Sequence, residues 1–547
     1  MTTSPATPLR GLHPEGRCPV LGGPPAVSYL DGGEEMVAAI VDEAADLGSL
    51  SDELHYAGRT WAERYHLDRG RANVLRALDL PADAVVLEVG AGCGAITRYL
   101  GERVAAVDAV EPVPARAEVA AGRTADLPGV RVFVGLVDDV PDEPAYDLVL
   151  VVGVLEYVGA GDRSDAPYEE FLRSARRRLR PGGALVLAIE NQLGVKYLAG
   201  GHEDHSGKRW DGVQGYPGGA PARTFARKPL EDLLARSGYR VARTLGCFPD
   251  YKITRAVLDA GLVRAHPELA CGIPRFPSPD WGHDEPRPVD EAAVWREFVA
   301  AGLGDQVWNS FLVVAARDDG PADDGPGDDD AVPPLWPERR LAVYFNTERA
   351  ARWCARAEVV DGEVRRTPLL PQGDDLVSVR AYAEPVHEGR PLLSTVLDEP
   401  WRVEDALCGW RDLLRAEADA LGPAIWDLVP HNLVVTAGGL RAIDLEWQVA
   451  GVTVAEVEQR GVLLTADQLA GAGWRGAGEC TTVRDLAGWL GVLLGHAPNF
   501  VEEAAEREAR FQATRISGAS AGAGLRREQD YLRAAWRTRL GETVAGC

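Results

Sequence analysis

The stretch VLEVGAGCG, residues 86–94, decides the fold. Val86, Leu87 and Val89 around Glu88 read as a buried strand. The glycines at 90, 92 and 94 then let the backbone turn sharply and approach a ligand closely. Their spacing is Gly-x-Gly-x-Gly, not the Gly-x-Gly-x-x-Gly of dinucleotide sites. About twenty residues on, a second strand ends AAVDAVEP (105–112). An acid at that place can hold the two hydroxyls of a ribose, and Asp108 and Glu111 compete for it.

Working outward, strands and helices alternate. Strands are expected near 84–90, 104–110, 130–135, 146–152 and 183–190, with helices at 94–102, 113–124 and 167–180. A helix at 229–237 and strands at 239–246 and 307–318 extend the pattern. Alternating βαβ units predict an α/β fold built on a doubly wound parallel sheet, expected to have seven strands. The expected division is a partly helical N-terminal extension (1–55), the α/β domain (56–318, with a helical insertion at 251–306), an acidic Pro/Gly linker (319–335) and a separate unit (336–547). DDGPADDGPGDDDAVPP (318–334) has little to bury, which marks the linker.

Composition narrows the function. The formal charge of −25 argues against a polyanionic partner such as nucleic acid, which needs a basic footprint. There is no run of 18 apolar residues, so no membrane insertion is expected, and the eight cysteines are scattered singly, which suits a reduced cytoplasmic compartment. Of the 58 basic residues only Lys196, Lys208, Lys228 and Lys252 are lysine, all between 196 and 252. Lysine and arginine are not interchangeable at point-charge sites, which marks that window as functional.

The glycine turn and the acid after the second strand, with YDLVLVVGVLEYVG (146–159) and LRPGGALVLAIEN (179–191), resemble the class I S-adenosyl-L-methionine (SAM)-dependent methyltransferases. RYHLDRGRANVLRAL (64–78), ENQLGVKYLAGGHEDHSGKRWDGVQGY (190–216), RTFARKPLEDLLARSGY (223–239) and FPDYKIT (248–254) resemble a subgroup encoded among glycan and polysaccharide biosynthesis genes. The resemblance implies SAM as cofactor, held by Glu88, Gly90, Gly92 and Gly94, with Glu111 favoured over Asp108 for the ribose. Leu136 stands where an acid often meets the adenine amine, and Asp138 is the substitute. It also folds Tyr65 and His66 over the cofactor.

The acceptor decides what else is needed. An alcohol requires a base to take its proton, whereas an amine or a phosphate oxygen needs little help. Candidate bases cluster after the fifth strand in GGHEDHSGKRW: His205 first, Asp204 second, then His202 and Glu203. Lys196, Lys208 and Lys252 are candidates for binding an anionic acceptor. No metal site is expected from HEDH, because adjacent residues seldom converge on one ion without a second ligand pair.

The last unit carries WDLVPHNLVVTAGGLRAIDLEW (426–447), where Asp427, Asn432 and Asp444 have the spacing of a kinase catalytic loop and its magnesium-binding turn. With AEPVHEGRPLLSTVL upstream, it resembles aminoglycoside-kinase-like folds. Yet this unit contains no lysine to anchor phosphates, and Arg365 or Arg366 takes that strand. A degenerate kinase-like domain is expected. The whole chain is read as a SAM-dependent methyltransferase acting on a sugar, glycan or related polar small molecule, with O-methylation favoured. The alternatives are a bifunctional kinase–methyltransferase that phosphorylates and then methylates a glycan end, and a secondary-metabolite tailoring methyltransferase.

Overall fold

The computed structural model describes residues 9, 18–22, 30–159, 164–219, 221–280, 283, 285–319, 334–372, 377–474, 476, 480–517 and 523–544. The chain forms two compact units, Met1–Phe345 and Asn346–Cys547. Among the described residues no helix is long and apolar enough to cross a membrane.

Unit 1 is built on β1 (Val85–Val89), β2 (Ala106–Glu111), β3 (Val130–Val134), β4 (Tyr146–Val152), β5 (Leu179–Glu190), β6 (Tyr239–Phe248), β7 (Ala256–Leu258), β8 (Ser310–Arg317) and β9 (Arg340–Asn346). Their order is β9-β7-β6-β8-β5-β4-β1-β2-β3. The half from β5 to β3 is parallel, and its strands are almost continuously buried, as a sheet covered on both faces requires. The chain starts in the middle at β1, runs out to β3, and returns to β4 on the other side. That reversal opens a crevice at the carboxyl ends of β1 and β4, where open α/β sheets bind ligands.

Two expectations are corrected. Among the described residues unit 1 contributes nine strands to a mixed sheet, because β8 runs antiparallel between β5 and β6, while β7 and β9 continue the antiparallel part. The boundary expected at 335/336 falls instead after Phe345. Leu335, Trp336, Val343 and Phe345 are buried with the sheet core, and Arg340 binds the Ala77 carbonyl and Asp79. The acidic stretch hid this strand by marking a boundary before it; of the expected linker, 320–333 lie outside the described residues.

The N-terminal extension belongs to unit 1. Helix Glu34–Glu43 breaks at Ala44, and its Val37 and Val41 pack with Leu54, Leu67, Cys93 and Val119. Helix Trp61–Leu67 starts at a capping box between Thr60 and Glu63, which satisfies its first backbone donors and fixes Tyr65 and His66.

Unit 2 opens with antiparallel strands Ala355–Val360, Glu363–Pro368 and Tyr382–Pro385. A hairpin, Leu433–Thr436 with Gly439–Ala442, and five helices of eleven to nineteen residues follow, from Val403–Leu421 to Ala523–Leu540. Trp410, Trp426 and Trp447 anchor its core, and the indole N–H of Trp410 donates to the Leu428 carbonyl at 2.8 Å.

Candidate active site

A cavity of about 820 Å³ opens in unit 1 at the ends of β1, β2 and β4. Its first wall is the glycine turn. Gly90, Gly92 and Gly94 all have positive φ (84°, 53° and 79°), which side-chain-bearing residues adopt only with strain. A Cβ on Gly90 would lie 2.4 Å from Val154 Cγ2, and one on Gly94 2.7 Å from the Ala120 Cα. The N–H groups of Gly90 and Ala91 both donate to the Val110 carbonyl, at 2.8 and 3.2 Å, tying the turn to β2.

Glu111, at the end of β2, completes this wall. One carboxylate oxygen accepts from Gly92 N–H at 2.8 Å and the other from Val113 N–H at 3.0 Å, and burial pushes its carboxyl up. Asp108 points elsewhere and accepts from the buried Tyr146 hydroxyl at 2.8 Å. Three positions apart on one strand, the two acids face opposite sides, so only Glu111 meets the cavity. Glu88 lines the cavity floor, its Oε2 has no hydrogen-bond partner, and burial pushes its carboxyl up to about 8. Asp138 also lines the cavity and accepts from the Ser174 hydroxyl.

Tyr65 and His66 close the cavity from above the turn. The Arg71 guanidinium lies 4.2 Å over the Tyr65 ring. His66 Nε2 is 2.8 Å from Asp31, which also binds Arg116 at 2.9 Å. Asp31 and Arg116 line the cavity too; sequence reasoning missed them, because the only signal is a segment of the N-terminal extension folding back 85 residues onto Arg116.

The opposite wall is the loop after β5. His202, Glu203, Asp204 and His205 all reach the cavity, as the sequence suggests, but their partners redistribute their roles. Asp204 sits between Lys196 Nζ at 2.7 Å and Lys252 Nζ at 2.6 Å. Burial alone would raise its carboxyl, yet the two ammoniums hold it far below the usual range. A carboxylate so held is a poor base. Glu203 shapes the loop by accepting from the N–H groups of His205 and Ser206 at 2.9 and 2.6 Å.

His205 has one ring nitrogen hydrogen-bonded and the other facing a carboxylate beyond hydrogen-bond distance. Nδ1 is 3.2 Å from the Tyr157 hydroxyl, and Nε2 is 3.6 Å from Glu190 Oε2. Burial would lower its pKa, but the Glu190 carboxylate outweighs that and pushes it up to about 9. His202 differs: Nδ1 is 3.0 Å from Asp280 Oδ2, and its ring stacks on His283 at 3.7 Å. An ionised carboxylate only accepts, so Nδ1 carries the hydrogen of that bond, while Nε2 lies 3.9 Å from Glu285 Oε2. Asp280 lies 78 residues away, beyond any sequence pattern.

The expected lysine site is also redrawn. Lys252 reaches the cavity wall, whereas Lys196 and Lys208 do not. Lys196 is buried at 2% exposure and committed to Asp204, and Lys252 is committed to Asp204 and Glu190. Lys208 is exposed. The Lys196 and Lys252 ammoniums are thus paired with the Asp204 and Glu190 carboxylates of the site itself.

In unit 2 the structure brings Asp427, Asn432 and Asp444 together. Asn432 Nδ2 donates to the carbonyls of Asp427 and Asp444 at 3.0 and 3.5 Å. Burial pushes Asp427 up to about 8, and its carboxylate accepts from Trp447 N–H at 2.9 Å. Of the two arginines named from the sequence it is Arg366 that lies against Asp444, at 2.8 Å, and it also pairs with Glu384.

Residues 87–185 match the family model of a methyltransferase domain. Among curated proteins none matches the chain. Among solved structures it is similar to three distant proteins. A methyltransferase bound to the Trm112 methyltransferase activator of Haloferax volcanii is 17% identical over 54% of this chain and 100% of that one, with TM-score 0.32. A TehB-like SAM-dependent methyltransferase from Corynebacterium glutamicum is 16% identical over 46% and 88%, with TM-score 0.25. A SAM-dependent methyltransferase from Mesorhizobium loti is 20% identical over 45% and 97%, with TM-score 0.27. Residues 87–185 are thus a methyltransferase domain, whose cofactor is SAM. The cavity fits that cofactor: a backbone held open at Gly92, where a Cβ would meet nothing within 4 Å, the Glu111 carboxylate beside it, and an orphaned buried carboxylate oxygen on Glu88.

Proposed function

We propose that the protein methylates a hydroxyl of a polar small molecule: a sugar, a glycan end or a hydroxylated natural product. SAM supplies an activated methyl, so transfer requires chiefly that the attacking oxygen be held in line and lose its proton. The observation that carries this reading is the His202–Asp280 pair in the cavity wall. Asp280 fixes the His202 ring through Nδ1, so that in its neutral form the imidazole offers Nε2 as the base that an alcohol acceptor needs and an amine does not. The surrounding wall of His202, Glu203, His205, Asp280 and His283 favours a hydroxyl-rich acceptor over an apolar one, and the chain's charge of −25 disfavours nucleic acid. The resemblance of the 190–216 segment to glycan-associated methyltransferases supports a sugar.

The test is turnover on a panel of sugars and glycosides with Asp280→Asn, which keeps the shape and reverses the hydrogen bond. The expected result is a fall in kcat of about a hundredfold with an unchanged SAM Kd. Unaltered turnover would remove His202 as the base.

We read unit 2 as a kinase-like remnant that does not transfer phosphate. Arg366 beside Asp444 puts a fixed positive charge on the carboxylate that would hold magnesium. Thermal unfolding with ATP and magnesium is expected to leave the midpoint where it is; a rise would favour the bifunctional reading instead.

A further inference from the structure

Behind the loop after β5, three residues from separate elements turn one ligand atom each toward a common point. Glu156 follows β4, Glu190 ends β5 and His205 lies in the loop, and one donor atom of each falls within 4.8 Å of the other two. Glu156 and Glu190 are 0% and 1% exposed. Glu156 Oε2, Glu190 Oε2 and His205 Nε2 have no hydrogen-bond partner, an arrangement that buried polar atoms almost never tolerate.

The other atom of each group is held from outside. Glu156 Oε1 accepts from the Tyr251 hydroxyl at 3.1 Å, Glu190 Oε1 from the Lys252 ammonium, and His205 Nδ1 meets the Tyr157 hydroxyl at 3.2 Å. Outer partners of this kind orient metal ligands. We propose that Glu156, Glu190 and His205 form a site for one divalent first-row transition-metal ion at the wall of the cavity. Two carboxylate oxygens and one imidazole nitrogen suit a borderline ion such as manganese, iron or zinc, whereas calcium and magnesium prefer all-oxygen sets. The ion ties the 202–205 loop to the ends of β4 and β5, and so holds His202 over the cavity. The site does not depend on which acceptor is methylated.

The test uses the full chain freed of metal by chelation and titrated with Mn²⁺, with free Mn²⁺ read by electron paramagnetic resonance. The expected result is one ion per chain, a raised unfolding midpoint, and affinity reduced at least about tenfold in Glu156→Gln and Glu190→Gln. S-adenosylhomocysteine binding, measured separately, shows that each variant is folded. No Mn²⁺ bound by the wild type, or equal binding by both variants, overturns the proposal. Should either variant fail to fold, pulsed measurements on the wild type decide: a single imidazole-nitrogen coupling to bound Mn²⁺ is expected, and its absence refutes the site.

Discussion

The two walls of one cavity are built in opposite ways. The glycine-turn wall comes from residues close together along the chain: Gly90, Ala91 and Gly94 are tied by backbone hydrogen bonds, and the Glu111 carboxylate accepts from the Gly92 N–H. The wall proposed to face the acceptor draws on Glu190, the 202–205 loop, Lys252 and Asp280, and these residues hold one another through side-chain charges. A wall made of backbone shape is robust to charge and intolerant of a methyl group. A wall made of buried charge is the reverse, because each ion there relies on its partner's presence.

That contrast can be broken experimentally, and the acceptor wall holds the largest expected effect. Lys252→Met leaves Glu190 and Asp204 short of a counter-charge in the interior and is expected to destabilise unit 1 by about 3–5 kcal/mol, read by denaturant unfolding. On the turn wall Gly94→Ala is expected to cost about 2–4 kcal/mol, through a positive φ and a clash with backbone, and to abolish the thermal shift caused by S-adenosylhomocysteine.

Glu88 gives a pH signature to the same wall. Its carboxyl rises from the ordinary 4.5 to about 8 in the fold, so the folded chain keeps a proton that the unfolded chain releases. Stability is therefore lost as pH rises from 4.5 toward 8, by at most about 1.4 kcal/mol per pH unit. Glu88→Gln removes that slope in a comparison of unfolding midpoints across this window; identical slopes in both proteins would contradict the assignment. The smallest effect belongs to Lys208, exposed and away from the cavity. Lys208→Ala is expected to change stability by less than about 0.5 kcal/mol and to leave the acceptor KM unaltered.

Legibility follows the same division. The parallel half of the sheet, β1 to β5, is plain in the chain because strand burial and helix period are local patterns, and the glycine spacing announces a local backbone need. The strands β7 and β9 are not: one is three residues long, and the other follows an acidic stretch that reads as a domain boundary. The cluster HEDH marks a loop that lines the cavity, but the order given to its members presumes that each side chain is free. Asp204 lies between two lysines and His205 against Glu190, while His202, ranked behind both, is hydrogen-bonded to Asp280.

From the sequence alone come the Rossmann-like α/β core, the glycine turn, Glu111 as one of two candidate acids, and the loop that lines the cavity. These rest on φ angles, apolar periods and short spacings, which a stretch of chain carries wherever it folds. Only the tertiary structure decided that Asp108 turns away to Tyr146, that Lys196 and Lys252 neutralise their own loop, that Asp280 orients His202, and that Glu156, Glu190 and His205 converge. The physical reason is that the protonation, availability and role of a buried ionisable group depend on the charges packed against it, and those charges arrive from distant parts of the chain.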